Sequence, residues 1–397
     1  MIIDWSEWLN LAIRWFHLTA GIAWIGSSFY FVWLDNHLVP PKSGEASGEV
    51  WSVHGGGFYH KQKYRVAPSQ MPEDLHWFMW EAYTTWITGF LLLVLVYWVG
   101  AASFLIDPAK AALTPLQASG VGAAALVGGW LVYDCLCRSP LGRDDRTLGS
   151  AWFAVLVAAA WGLCQIFSAR GAYLHVGAMI GTAMVGNVFF VIIPNQRKVV
   201  AALVAGQVPD PALGKAAKSR SLHNNYMTLP VLFVMISHHY AITFGAGRPW
   251  LVLALLGLTG VAVRHVFNLR HRGQPTGRAM AVAAVLALLS VTYVSAEKAT
   301  LPARATSAAA GPADWASVQP IFARHCVACH AEKPTSGLVS APPLGVMLDS
   351  YDHARQFAPR VRRVAVDAEI MPLGNTIGMT RAERDALGRW IAAGAPE

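Results

Sequence analysis

Cys326-Val327-Ala328-Cys329-His330 concentrates the most chemistry of any stretch in this chain. Two thiols three positions apart, followed at once by an imidazole, are the attachment signature of a c-type haem. The thiols form thioethers with the porphyrin vinyl groups, and the histidine stands under the iron as an axial ligand. Read alone, the cysteine pair would also serve a zinc site or a redox disulfide. Zinc needs a second ligand pair at compact spacing, and Cys135, Cys137 and Cys164 do not supply another Cys-x-x-Cys. A thioredoxin-like motif needs a strand–helix–strand setting that the surrounding sequence lacks. One covalent haem c, and with it transfer of single electrons, is the expectation.

Two helical segments must position this motif. Asp314 to Arg324 reads as a short helix with Val318, Ile321 and Phe322 on one side, delivering the cysteines at its end. Near the C-terminus, Thr380-Arg381-Ala382-Glu383 is a capping box ahead of Leu387, Trp390 and Ile391 at helical spacing. A helix before the motif, a Gly- and Pro-rich loop, and a closing helix resemble a class I cytochrome c fold. The sixth iron ligand should come from the loop, where Met347, Met371 and Met379 are thioethers and His325 and His353 are alternatives. Met371 lies in Ile370-Met371-Pro372-Leu373-Gly374-Asn375, which resembles the methionine loop of small c-type cytochromes. A Met/His pair raises the reduction potential relative to two histidines, as suits an electron acceptor.

The rest of the chain is a membrane composition: mean hydropathy is +0.39, and 14% of residues are charged. Apolar runs long enough, or nearly so, to cross a bilayer lie at 8–34, 76–106, 114–134, 149–167, 174–193, 227–244, 250–268 and 278–296. The expected fold is all-α: a polytopic bundle of eight spans over residues 1–298, a linker at 299–312, and a cytochrome c domain over 313–397. Basic residues orient it. Lys42, Lys61, Lys63 and Arg65 follow the first span, Arg138, Arg143 and Arg146 the third, Arg197, Lys198, Lys215, Lys218 and Arg220 the fifth, and Arg270 and Arg272 the seventh. The opposite loops hold only Lys110, Arg170 and Arg248. The rich set faces the cytoplasm by the positive-inside rule, so both termini face outward. Bacterial c-type cytochromes mature on the periplasmic side, which agrees and implies an inner membrane. This bias accounts for the net charge of +8 without nucleic acid as a partner.

Ionisable residues within spans are functional candidates. His17 in the first span, His175 in the fifth and His238 with His239 in the sixth lie toward the outer half. His76, His223 and His265 form a second set near the inner face. Such histidines could ligate a non-covalent b-type haem, line a substrate pocket and move protons, or simply bond across helices. The first cytoplasmic loop, Trp51 to Met71, reads as a long, glycine-flexed basic loop containing His54-Gly55-Gly56-Gly57. It could hold a planar anion by stacking and charge-assisted hydrogen bonds, or serve only as an aromatic interface anchor.

The combination of His17-Leu18-Thr19-Ala20-Gly21-Ile22-Ala23-Trp24-Ile25-Gly26, the His54 glycine loop, His238-His239-Tyr240 and a terminal cytochrome resembles the bacterial membrane-bound urate oxidase family over essentially the whole chain. That resemblance implies oxidation of urate with water to 5-hydroxyisourate, with electrons leaving through haem c to a respiratory acceptor such as a soluble cytochrome c or an oxidase. Candidate catalytic residues are then His17, His54, His175, His238 and His239. The alternative is a quinol-linked membrane cytochrome with no urate chemistry.

Overall fold

A computed structural model describes residues 5–42, 44–64, 68, 72–300, 314–339 and 341–397. Arg65, Met71 and the linker from 301 onward lie outside the described residues. The chain opens with α1 (Trp5–His37), followed by strands β1 (Gly48–His54) and β2 (Gly57–Lys63). Helix α2 (Trp80–Leu92) runs into a π-helical turn at Leu93–Trp98, then α3 (Ala101–Phe104). Next come α4 (Pro115–Arg138), α5 (Asp145–Ile166) and α6 (Ala169–Gly186). A second π-helical turn, Asn187–Ile192, joins α6 to α7 (Ile193–Val204). The bundle ends with α8 (Pro211–Ser237), α9 (Ala241–Phe244), α10 (Pro249–His271) and α11 (Gly277–Thr300). The C-terminal unit contains α12 (Trp315–His325), α13 (Tyr351–Gln356), α14 (Ala358–Val361) and α15 (Arg381–Ala392).

Local chemistry fixes where the long helices begin. Thr114 and Gln117 form a reciprocal capping box on α4. The side chains of Asp144, Ser168 and Asp210 accept main-chain N–H groups at the starts of α5, α6 and α8. Among the described residues, six helices are long and apolar enough to cross a membrane: Trp80–Trp98, Pro115–Arg138, Asp145–Ile166, Ala169–Val204, Pro249–His271 and Gly277–Ala296. They fit a membrane protein. The sequence suggests eight spans, and the two outside this set are α1 and α8, which are 33 and 27 residues long. Their polar residues lower their hydropathy: Arg14 and His17 on α1, and Lys215 through Asn225 on α8. Helix α8 also begins well before the apolar run at 227, so its first half carries the charged residues.

The all-α expectation misses one feature. The segment read as a flexible loop is an antiparallel hairpin pairing Gly48–His54 with Gly57–Lys63. Gly55 and Gly56 have φ of +59° and +79°, as the tight turn between twisted strands requires. Trp51 and His60 face each other across the strands with rings stacked at 4.2 Å.

Two cores form. The larger lies among α2 to α10 and includes Tyr97, Leu105, Tyr133, Trp152, Phe167, Tyr173 and Met179. The smaller belongs to the C-terminal unit, where Phe322 on α12 meets Trp390 on α15 with ring centroids 5.7 Å apart. They meet where Ile370 packs on the larger core.

Candidate functional site

The Cys-x-x-Cys-His stretch forms a tight turn at the end of α12, with the N–H groups of Cys329 and His330 both donating to the Cys326 carbonyl. His330 Nδ1–H donates to the Val346 carbonyl at 2.9 Å. That bond fixes the ring and leaves Nε2 with its lone pair outward, the arrangement an axial ligand needs. Burial pushes the Cys326 thiol up to about 12. These residues fit a covalent haem. Among the other candidate ligands, Met379 is buried in the smaller core and its main chain is clasped by the Asn375 side chain. His325 bonds Glu383 at 3.1 Å, and His353 bonds Asp349 at 2.6 Å. Met371 is held at its main chain, its N–H donating to Val364 O and its carbonyl accepting from Arg384 at 2.7 Å.

The loop carrying Met371 is also the loop that docks on the bundle. Gly374 lies directly against the main chain of Ala102 and Ser103 in α3, and Ala368 against Gly245 just past α9. Beneath α3, the Arg170 guanidinium sits 5.3 Å from the Phe104 ring and donates to Tyr97 Oη at 3.1 Å. Arg170, Arg14 and His238 are near enough for their charges to interact. Arg14 bonds Asn10 at 3.1 Å, and among the described residues neither arginine has a carboxylate partner. His17 Nδ1–H donates to the Thr85 carbonyl at 3.0 Å, leaving Nε2 as a free base. Gly89 faces that ring so closely that a Cβ there would lie 2.9 Å from His17 Cε1. The result is a basic cluster in which the Arg14 and Arg170 guanidiniums stand with the His17 and His238 rings, edged by Tyr97, at the docking end of the bundle, with no carboxylate paired to the arginines among the described residues.

Not every candidate histidine joins it. His175 is fully buried, with Nδ1–H donating to Gly171 O at 2.8 Å and Nε2 accepting from the Trp98 indole at 3.2 Å. A Cβ at Gly122 would lie 2.6 Å from that Nε2, so the ring is enclosed. With both nitrogens engaged, His175 does not suit an axial ligand for a b-type haem. The His239 ring lies 3.9 Å from that of His238, tilted by 43°, and is itself exposed. His54 stands at the hairpin turn beyond the opposite end of α1, roughly 50 Å of helix from its start at 1.5 Å per residue. Its hairpin's cations are matched locally, Lys63 to Asp35 at 2.6 Å and Lys61 to Ser52.

The inner histidines have separate partners. His223 joins Tyr133 at 2.9 Å and Asp145 at 3.2 Å, His265 joins Tyr226 at 2.7 Å, and His76 lies 3.7 Å from Glu81. Sequence reading missed the hub of this end: buried Arg220 binds Asp134 at 2.6 Å and Asn187 at 2.8 Å, linking α8 to α4 and the second π turn. Near it Arg264 lies 3.9 Å from the Phe29 ring and donates to Asn225 at 3.1 Å. Tyr97 and Trp98 were also missed; paired aromatics with polar edges inside an apolar span were the available signal.

Six long apolar helices fit a helical membrane protein, and Arg14 and Arg170 stand near His238 at one end of it. A family profile described as urate oxidase N-terminal matches residues 4–296, and the chain belongs to that family. No curated protein and no solved structure matched.

Proposed function

We propose that this protein is a membrane-bound oxidoreductase that converts urate and water to 5-hydroxyisourate and exports the electrons through a C-terminal haem c. The balance is urate plus water giving 5-hydroxyisourate, two protons and two electrons. Cys326 and Cys329 would hold the haem covalently, with His330 and Met371 as the residues for its iron, and once bound it would supply a one-electron acceptor. Two electrons per urate therefore need two successive transfers to a respiratory acceptor. The bundle has eight spans, counting α1 and α8, with both termini on the periplasmic face of a bacterial inner membrane.

The chain's own residues have distinct tasks. Arg14 and Arg170 hold the anion, since two guanidiniums without carboxylates favour a planar, charge-delocalised ligand. His17 Nε2 takes a proton as charge leaves the ring, with its tautomer set by Thr85. His238 adds a second basic group beside Arg170. His175 positions Trp98 and does not touch the substrate. Family membership supports urate as the substrate. The observation that carries the rest is the docking of the Met371 loop over α3, directly above this cluster, which supports a short electron path on one side of the membrane.

Anaerobic addition of urate to the oxidised full-length protein tests the reading. The reduced haem c absorption band should grow in proportion to urate, with 5-hydroxyisourate as product. Reduction by quinol but not by urate would overturn it in favour of a quinol-linked cytochrome.

A further inference from the structure

A large groove lies away from the basic cluster. It holds about 1260 Å³ between α5, α8, α10 and α11. Its walls are apolar, with Leu156, Ala160, Val234, Leu258, Val261 and Leu286 among the lining residues. From Asp145 to Ala160 along α5 it runs roughly 22 Å at 1.5 Å per residue. At its polar mouth stand Arg143, Arg146, Arg272 and Arg278, all exposed. None has a carboxylate partner among the described residues; Asp144 at the mouth caps α5 and Asp145 bonds Ser219 and His223. Nearly two turns deeper, roughly 9 Å beyond Arg146 on the helical rise, Trp152 lines the groove. It is 5% exposed, and its indole N–H has no acceptor.

A long apolar trough with four unpaired arginines at its mouth and an unpaired donor in its wall matches one kind of molecule. We propose that the groove is a specific site for an anionic diacyl phospholipid. The phosphate lies among the four arginines and the acyl chains run along α5 and α10. A quinone has comparable tails and a neutral head, so it leaves the arginines uncompensated; free phosphate leaves the trough empty. Basic residues at a membrane surface contribute about a fivefold preference each for acidic lipid. The site is independent of the urate reading.

Native mass spectrometry of the full-length protein in mild detergent tests it, using phosphatidylglycerol, phosphatidylcholine of the same acyl chains, a short-tailed ubiquinone and inorganic phosphate as probes. The expected result is retention of one phosphatidylglycerol per chain over phosphatidylcholine, a raised unfolding temperature, and no effect of phosphate. Arg272→Gln with Arg278→Gln should reduce the preference roughly 25-fold, with urate-driven haem reduction unchanged. Gly257 lines the groove, and a Cβ there meets nothing within 4 Å. Gly257→Trp should therefore fill the trough and lower lipid occupancy without altering charge. Equal retention of the two phospholipids, an unchanged preference in the arginine variant, preferential uptake of the quinone, or a groove covered by a second copy of the chain would each overturn the proposal.

Discussion

Gly245 faces Ala368 so closely that a Cβ built on the glycine would lie 2.6 Å from the Ala368 Cβ. One residue belongs to the membrane bundle and the other to the C-terminal unit. The joint is thus sealed by the lack of a side chain. Gly245→Val should push the two units apart while leaving each intact. A displacement of about 1 Å can cost on the order of a hundredfold in rate. Urate-driven reduction should fall by about that factor, with haem content and spectrum unchanged, as stopped-flow absorption would show.

Arg14 and Arg170 should act on substrate binding more than on the fold. Hydrogen bonds to a charged group are worth about 1.5–3 kcal/mol, or roughly ten- to a hundredfold. Arg170→Gln should raise KM for urate within that range and leave the far-end network of Arg220, Asp134 and Asn187 untouched. Steady-state kinetics together with a thermal melt separate the two effects.

Iron ligation can be read spectroscopically. Met371→Ala should retain covalent haem and lose the low-spin methionine-ligated spectrum, whereas Met379→Leu, a core change, should keep it. The pair Cys326→Ala and Cys329→Ala should lack porphyrin mass on the intact polypeptide.

Acid should weaken the C-terminal unit through Glu383. The Thr380 main-chain N–H, its hydroxyl and His325 hold that carboxyl at about 2. Its folded value lies below its unfolded one, so it stabilises the fold above the ordinary carboxylate range. That contribution fades as pH falls toward 2. In Glu383→Gln the loss between about pH 5 and pH 2 should flatten, as a circular dichroism titration of the full chain would reveal.

Trp98→Phe keeps the ring and removes the donor to His175. An orphaned buried nitrogen costs about 1–3 kcal/mol. The variant should melt earlier with little change in KM.

What could be read beforehand divides along physical lines. Helix starts were legible where side chains cap them: the Thr380–Glu383 box stands at the head of α15 as the sequence implies. The α12 stripe was legible too, since Val318, Ile321 and Phe322 all turn into the smaller core. The hairpin was misread because its glycines were taken as flexibility, although Gly55-Gly56 between Val53 and Phe58 is a turn signal. Arg220 was assigned to a loop because hydropathy marks the apolar part of a helix and not its polar extension. The cation cluster was half visible: His17 and His238 were named, but Arg170 looked like a loop charge until the start of α6 put it beneath Phe104.

The wide turn at Leu93–Trp98 carries a lesson about lineage as well as shape. One surplus residue in a helix swings everything beyond it by about 100°. Here the turn itself carries Tyr97 and Trp98, which look toward Arg170 and His175. A single-codon deletion upstream of them would aim both rings at new neighbours while barely altering hydropathy. Two descendants could then look alike as greasy segments and differ completely in what they catalyse.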